Sequence, residues 1–117
     1  MSIEAALRQR EEGLAPALAD VVARAAQRVP GFAARLAEAG VTAEQVCGEA
    51  GLAALPVLSK DDLVERQRLD PPHGGLLAPD ADVARWFQSP GPLYEPQLAD
   101  ADWRWGQALT DLGVGAS

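Results

Sequence analysis

The stretch that most constrains this fold is an apolar run followed by a run rich in proline and glycine, residues 83–96. Its first half predicts a strand over residues 83–88, with one set of side chains on one face (Val83, Arg85, Phe87) and the alternate set on the other (Ala84, Trp86, Gln88). The second half holds three prolines and one glycine within seven residues. Because proline fixes φ and lacks a backbone N–H, we predict a stiff loop here and then a helix from near Asp100.

A strand, a glycine-containing loop and a helix form a common phosphate-binding arrangement. In this loop, however, three residues lack the N–H that would hold a phosphate (Pro90, Pro92, Pro96). Glu95 also has the same sign of charge as a phosphate, and one such pair at about 4 Å is worth about 4 kcal/mol at an effective dielectric constant near 20. The loop chemistry therefore opposes anion binding.

The N-terminal third has the pattern of amphipathic helices. Ser2 is a suitable N-cap for a helix that starts at Ile3. Gly13 and Pro16 interrupt its apolar stripe, so we expect two helices, or one kinked helix, with Pro16 in the first turn of the second. Such a helix either mediates an interaction or packs on its own domain.

Turn and capping residues predict two further short helices. Val29–Gly31 is predicted to be a turn, followed by a helix over residues 32–39 that ends at Gly40. Thr42 and Gln45 have the spacing of a capping box, which predicts a helix over residues 43–50 that stops at Gly51, with Val46 facing inward.

Ser59 gives the clearest helix start in the chain. Asp62 stands three residues later, as in a capping box, and the helix should run to about Arg68. Asp61 and Asp62 could alternatively be a catalytic acid and base. Adjacent helical positions do not face each other, so the capping interpretation is favoured.

The remaining candidates are single residues. His73 lies in a predicted loop, residues 70–75, where it is either solvated or a lone acid or base, and Cys47 has no basic neighbour in sequence to activate it. Residues 76–78 are predicted to be a short extended piece, the only evident partner for the strand at 83–88. A last helix should pass through Trp103 and end at Gly113, with either Trp103 or Trp105 buried.

Composition excludes several classes of function. A chain of 117 residues makes at most one domain, and a formal charge of −7 argues against nucleic-acid or anionic-membrane partners. No signal peptide or membrane span is evident, and a single cysteine and a single histidine exclude an internal disulfide and an ordinary zinc site. We therefore expect a cytoplasmic protein without a metal site.

Two segments resemble the N-terminal region of phenylacetate-CoA ligases, which are AMP-forming adenylating enzymes. Residues 55–63, Leu-Pro-Val-Leu-Ser-Lys-Asp-Asp-Leu, are similar to a Leu-Pro-x-x-Thr/Ser-Lys-x-Asp-Leu segment of that family. The family's phosphate loop, Ser-Ser-Gly-Thr-Thr-Gly-Lys-Pro, is matched at Ser89, Gly91 and Pro96, whereas residues 90 and 92–95 depart from it. The resemblance covers roughly residues 50–117.

This resemblance implies a function and a site. It implies an N-terminal helical subdomain, mainly α with minor β, of an α/β adenylate-forming enzyme, divided into a helical segment (1–54) and the start of the adenylating region (55–117). Ser89, Gly91, Tyr94 and Pro96 are the implied nucleotide-loop positions, and no catalytic residue is assigned. ATP, magnesium and coenzyme A would serve the full-length enzyme, and none is expected for this chain alone. The alternative is a non-catalytic helical interaction or regulatory module derived from such an enzyme. The expected partners are a second copy of the chain or the remainder of the enzyme.

Overall fold

A computed structural model describes residues 2–101 and 105–115. The elements follow in the order α1 (Ile3–Arg28), α2 (Pro30–Ala39), one 3-10 turn (Ala43–Gln45), α3 (Glu49–Ala53), α4 (Lys60–Leu69), β1 (Val83–Ser89), β2 (Leu93–Leu98) and α5 (Trp105–Asp111). The predicted class, mainly helical with a small amount of strand, is confirmed.

Helix α1 runs without interruption from Ile3 to Arg28. Of the two predicted alternatives, two separate helices are therefore wrong, and Pro16 lies within the helix instead of in the first turn of a second one. Ser2 caps it as predicted, its hydroxyl accepting a hydrogen bond from the Ala5 N–H at 3.1 Å. Pro16 lies in the exposed half of the helix. The Glu12 carbonyl, which loses its helical donor there, can bond to water instead, and this lowers the cost of the proline.

Helix α2 starts at Pro30 rather than at Phe32, with proline in the first turn, and ends as predicted at Gly40, which has φ of 69°. The predicted helix over residues 43–50 is wrong: the chain makes one 3-10 turn, bends at Val46 and starts α3 at Glu49. A Cβ at Gly51 would clash with the Gln45 carbonyl oxygen, so Gly51 allows a close backbone approach, and it lies within α3 instead of at a C-cap.

The bend at Val46 completes a small core. Val46 is fully buried as predicted, and it packs with Val22 of α1 and Leu36 of α2. Six partly buried apolar residues surround these three: Leu18, Ala26, Phe32, Val41, Ala43 and Leu55. Val46 is thus buried at the end of the 3-10 turn, without the predicted helix over residues 43–50.

The largest difference from expectation lies at residues 93–98, which form strand β2 of a tight antiparallel hairpin with β1 instead of a loop. Residues 76–78 are not a strand, so β2 and not that segment is the partner of β1. An irregularity between Val83 and Arg85 leaves Ala84 as an extra residue, so the predicted alternation of faces holds only from Arg85 onward.

The last described helix starts at Trp105, where the side chain is exposed, and ends near Gly113, which has φ of 80°. The predicted role of Trp103 lies outside the described residues.

The chain exposes far more surface than a compact domain does. Its accessible area is 8836 Å², whereas a compact protein of this mass exposes about 6,100 Å². Its radius of gyration is 17.5 Å, against about 13 Å for a compact domain of this length. The excess is about 2,700 Å². Exposed segments include most of the first four turns of α1 and both faces of β1.

Candidate functional site

The candidate site is the hairpin together with α4, which packs against it. Ser59 caps α4 as predicted: its hydroxyl accepts a hydrogen bond from the Asp62 N–H at 3.1 Å, and the Asp62 carboxylate accepts one from the Ser59 hydroxyl at 2.6 Å. Hydrogen bonds from the Ser59 hydroxyl and N–H lower the pKa of Asp62. Asp62 is therefore engaged in the helix cap, as the capping interpretation predicted.

Gln67 of α4 fixes the hairpin to the helix. The Tyr94 N–H donates to Gln67 Oε1 and the Gln67 side-chain N–H donates to the Tyr94 carbonyl, both at 2.8 Å. Gln67 is only 6% exposed, although it is polar. Its amide therefore bonds to Tyr94 as one residue of a neighbouring strand would.

This contact shows which way the backbone groups of the hairpin point. In an antiparallel pair, opposite residues alternate between those that exchange two hydrogen bonds and those whose N–H and C=O point outward. Tyr94 uses both groups on Gln67, so the pair Gln88–Tyr94 points outward, and by alternation so does Trp86–Pro96. The pair Phe87–Glu95 between them is hydrogen-bonded.

The other end of the hairpin agrees with this assignment. The Ala99 N–H donates to the Asp82 carbonyl at 2.8 Å, so residues 82 and 99 face each other across the ladder. Counting from there through the extra residue Ala84 makes Arg85–Gln97 hydrogen-bonded and Trp86–Pro96 outward-pointing. Pro96 fits within β2 for this reason: the N–H that it lacks would point away from β1.

The four predicted nucleotide-loop residues all lie in this hairpin but do not converge on one point. Ser89 ends β1, Gly91 is in the turn, Tyr94 lies on β2 and is 37% exposed, and Pro96 is further along β2 opposite Trp86. A Cβ at Gly91 would lie 3.0 Å from Val64 Cγ2, so the turn approaches α4 closely.

Two of these residues share a cavity between α4 and the turn. It measures about 320 Å³ and is lined by Val64, Gln67, Arg68, Pro71, Gly91, Pro92 and Tyr94. The Arg68 guanidinium at its rim donates two hydrogen bonds to Glu65, at 2.8 and 2.7 Å, and this contact lowers the pKa of Glu65. Arg68, the one cationic residue that lines the cavity, is thus already paired with Glu65. The Tyr94 N–H is bonded to Gln67, so it does not face the cavity as a free donor.

The other predicted candidates lie elsewhere. His73 Nδ1 accepts a hydrogen bond from the Gly75 N–H at 3.2 Å within its own turn, and Cys47 is exposed. Within residues 2–101 and 105–115, no group of three or more metal-ligating side chains occurs. No helix in the same ranges is both long enough and apolar enough to span a bilayer.

Gln67 is the important residue that sequence reasoning missed. It stands three and four residues after Val64 and Leu63, on the half-buried side of α4. A polar amide within such a stripe is a signal for a buried hydrogen-bonded partner, but the sequence does not show that the partner is a strand backbone 27 residues later.

The comparisons with known proteins give no relative: no family model, no curated protein and no solved structure matches this chain.

Proposed function

We propose that this chain is a non-catalytic part of a larger assembly, and that it corresponds to the N-terminal region of an AMP-forming carboxylate-CoA ligase. The observation that carries the first statement is the uncovered surface, 8836 Å² where about 6,100 Å² is normal. The surplus of about 2,700 Å² exceeds the roughly 800 Å² that one partner buries in a standard-size interface, so the chain has surface enough for a permanent one.

The sequence resemblance at residues 55–63 and at Ser89, Gly91 and Pro96 supports the ligase assignment. In such an enzyme ATP and a carboxylic acid form an acyl-adenylate, and coenzyme A then takes the acyl group. With the Tyr94 N–H bonded to Gln67, the groups that remain for a nucleotide are the Tyr94 phenol, the Ser89 hydroxyl and the Gly91 N–H.

Recovery of the native protein from its own cells tests this proposal, with an antibody raised against the 117-residue chain. The ligase assignment predicts an intact mass several times that of this chain, and a purified protein that exchanges pyrophosphate into ATP when an aryl acid is present. A native polypeptide of 117 residues without exchange activity would contradict it.

The hairpin itself favours a second candidate, a free-standing interaction module. Three prolines and the Gln67 contact leave few N–H groups in the segment that would hold a phosphate, while large apolar side chains stay exposed on both faces of β1, with Trp86 41% and Phe87 44% exposed. Few free N–H groups and exposed apolar side chains favour binding to another protein over binding to a nucleotide. The short native polypeptide described above would support this candidate.

A further inference from the structure

The outer edge of β1 is open for pairing. By the alternation described above, the N–H and C=O groups of Trp86 and Gln88 point away from β2, and within the part of the chain that the structure describes no other strand lies beside β1. Residues 84–88 are all exposed. A hairpin of only two strands is marginally stable in water, so its open edge favours a further strand.

We propose that this edge pairs with the same edge of a second copy of the chain, antiparallel, with the two-fold axis at Phe87. Trp86 of each copy then lies opposite Gln88 of the other, and each of these two pairs exchanges two backbone hydrogen bonds. The result is a four-stranded sheet in which the two β1 strands are central and the two β2 strands are at the edges.

The limits of the strand select this register. Ala84 is the extra residue at one end and Pro90, which lacks an N–H, follows the strand at the other. The five residues between them are centred on Phe87, so an axis there uses all five. An axis at Trp86 would oppose Gln88 to the irregular Ala84, and an axis at Arg85 would oppose two arginines, which is unfavourable.

Side chains and surface area indicate a second copy as the occupant. Phe87 would meet its own counterpart at the closely spaced, non-hydrogen-bonded position, where aromatic pairs are favourable. Arg85, the one charged residue of β1, would lie opposite Ser89. The chain also has about 2,700 Å² of surface beyond that of a compact protein, enough for its half of a stable homodimer interface.

A proline at residue 88 tests the pairing, by sedimentation of the purified 117-residue chain over a range of concentrations. Gln88→Pro removes an N–H that β2 does not use, so the hairpin should persist while the dimer dissociation constant rises at least tenfold. Gln88→Ala keeps the N–H and should change that constant by less than about threefold. A monomeric wild-type chain at every concentration, or an equally tight Gln88→Pro dimer, would overturn the proposal.

Cross-linking tests the register independently of affinity. In a Cys47→Ser background, Phe87→Cys places two thiols at the axis, within disulfide range, and mild oxidation should give a covalent dimer. Glu95→Cys lies one strand away on the same face and should stay monomeric. Equal cross-linking of both variants would overturn the register, and a basic peptide that binds β1 while the chain itself stays monomeric would overturn the choice of occupant.

The pairing and the proposed functions are tested by different experiments. Its failure in these experiments leaves the ligase assignment intact, and a short native polypeptide without exchange activity leaves the pairing intact.

Discussion

The two edges of the hairpin are chemically opposite, although they belong to neighbouring strands of similar length. On β2, the outward groups of Tyr94 are bonded to Gln67 and the next outward position is Pro96, which has no N–H to offer. On β1, the corresponding outward residues are Gln88 and Trp86, whose backbone groups have no strand beside them within the described chain. One edge is therefore closed by its own domain, whereas within the described residues the other has no strand beside it.

The sharpest test of this comparison changes the proline content of β2 at two neighbouring positions, one with an inward N–H and one with an outward N–H. Glu95→Pro removes an inward N–H that bonds to β1, and we expect a loss of about 3 kcal/mol, comparable to proline within a regular element. Pro96→Ala restores only an outward N–H, and we expect a change within about 1 kcal/mol. Urea unfolding of both variants measures the difference. Similar losses for the two would contradict the assigned direction of the backbone groups.

The second test changes Gln67, because its side-chain amide is the group that bonds to the outward N–H and C=O of Tyr94. Gln67→Leu keeps the side-chain size but leaves the Tyr94 N–H and C=O without their partner, and we expect a loss of about 1–3 kcal/mol in the free energy of unfolding. Gln27→Leu makes the same change at an exposed position of α1 and should alter the free energy by less than about 0.5 kcal/mol. An unchanged free energy of unfolding in Gln67→Leu would show that the hydrogen bonds between Gln67 and Tyr94 do not stabilise the hairpin.

Acid should destabilise α4, the helix that carries Gln67, and of the three predictions in this comparison we expect this effect to be the smallest. Hydrogen bonds from Ser59 lower the pKa of Asp62 in the folded chain, so the folded state holds this proton less tightly than the unfolded state. The stabilisation is then fully present above the unfolded pKa, about 4, and is lost as the pH falls through the lower folded value. Over this pH range, the helix content measured by circular dichroism should fall more steeply in wild type than in Asp62→Asn. Parallel curves would contradict a stabilising role of the Asp62 carboxylate in the cap of α4.

The sequence predicted those features that depend on neighbouring residues. The caps at Ser2 and Ser59, the end of α2 at Gly40 and the strand at residues 83–88 all follow from side chains a few positions apart. Burial of Val46 was also predicted from local pattern, but the bend that achieves it was not, because it depends on packing against Val22 and Leu36.

Strand β2 could not be predicted in the same way. Its prolines count against a strand unless the register is known, since Pro96 is harmless only at an outward-pointing position. That register is fixed by pairing with β1 and by Gln67, which lies 27 residues before Tyr94. For the same reason, the sequence did not show that the four predicted nucleotide-loop positions are spread along a hairpin.

Amide hydrogen exchange of Trp86, Phe87 and Gln88 tests the central claim most directly, when measured by NMR at low and high protein concentration. We predict that the Phe87 amide is protected at both concentrations, whereas the Trp86 and Gln88 amides exchange rapidly in the dilute chain and become protected as the chain associates. Fast exchange of Trp86 and Gln88 at every concentration, or protection already present in the monomer, would contradict the account of an edge left open for a second copy.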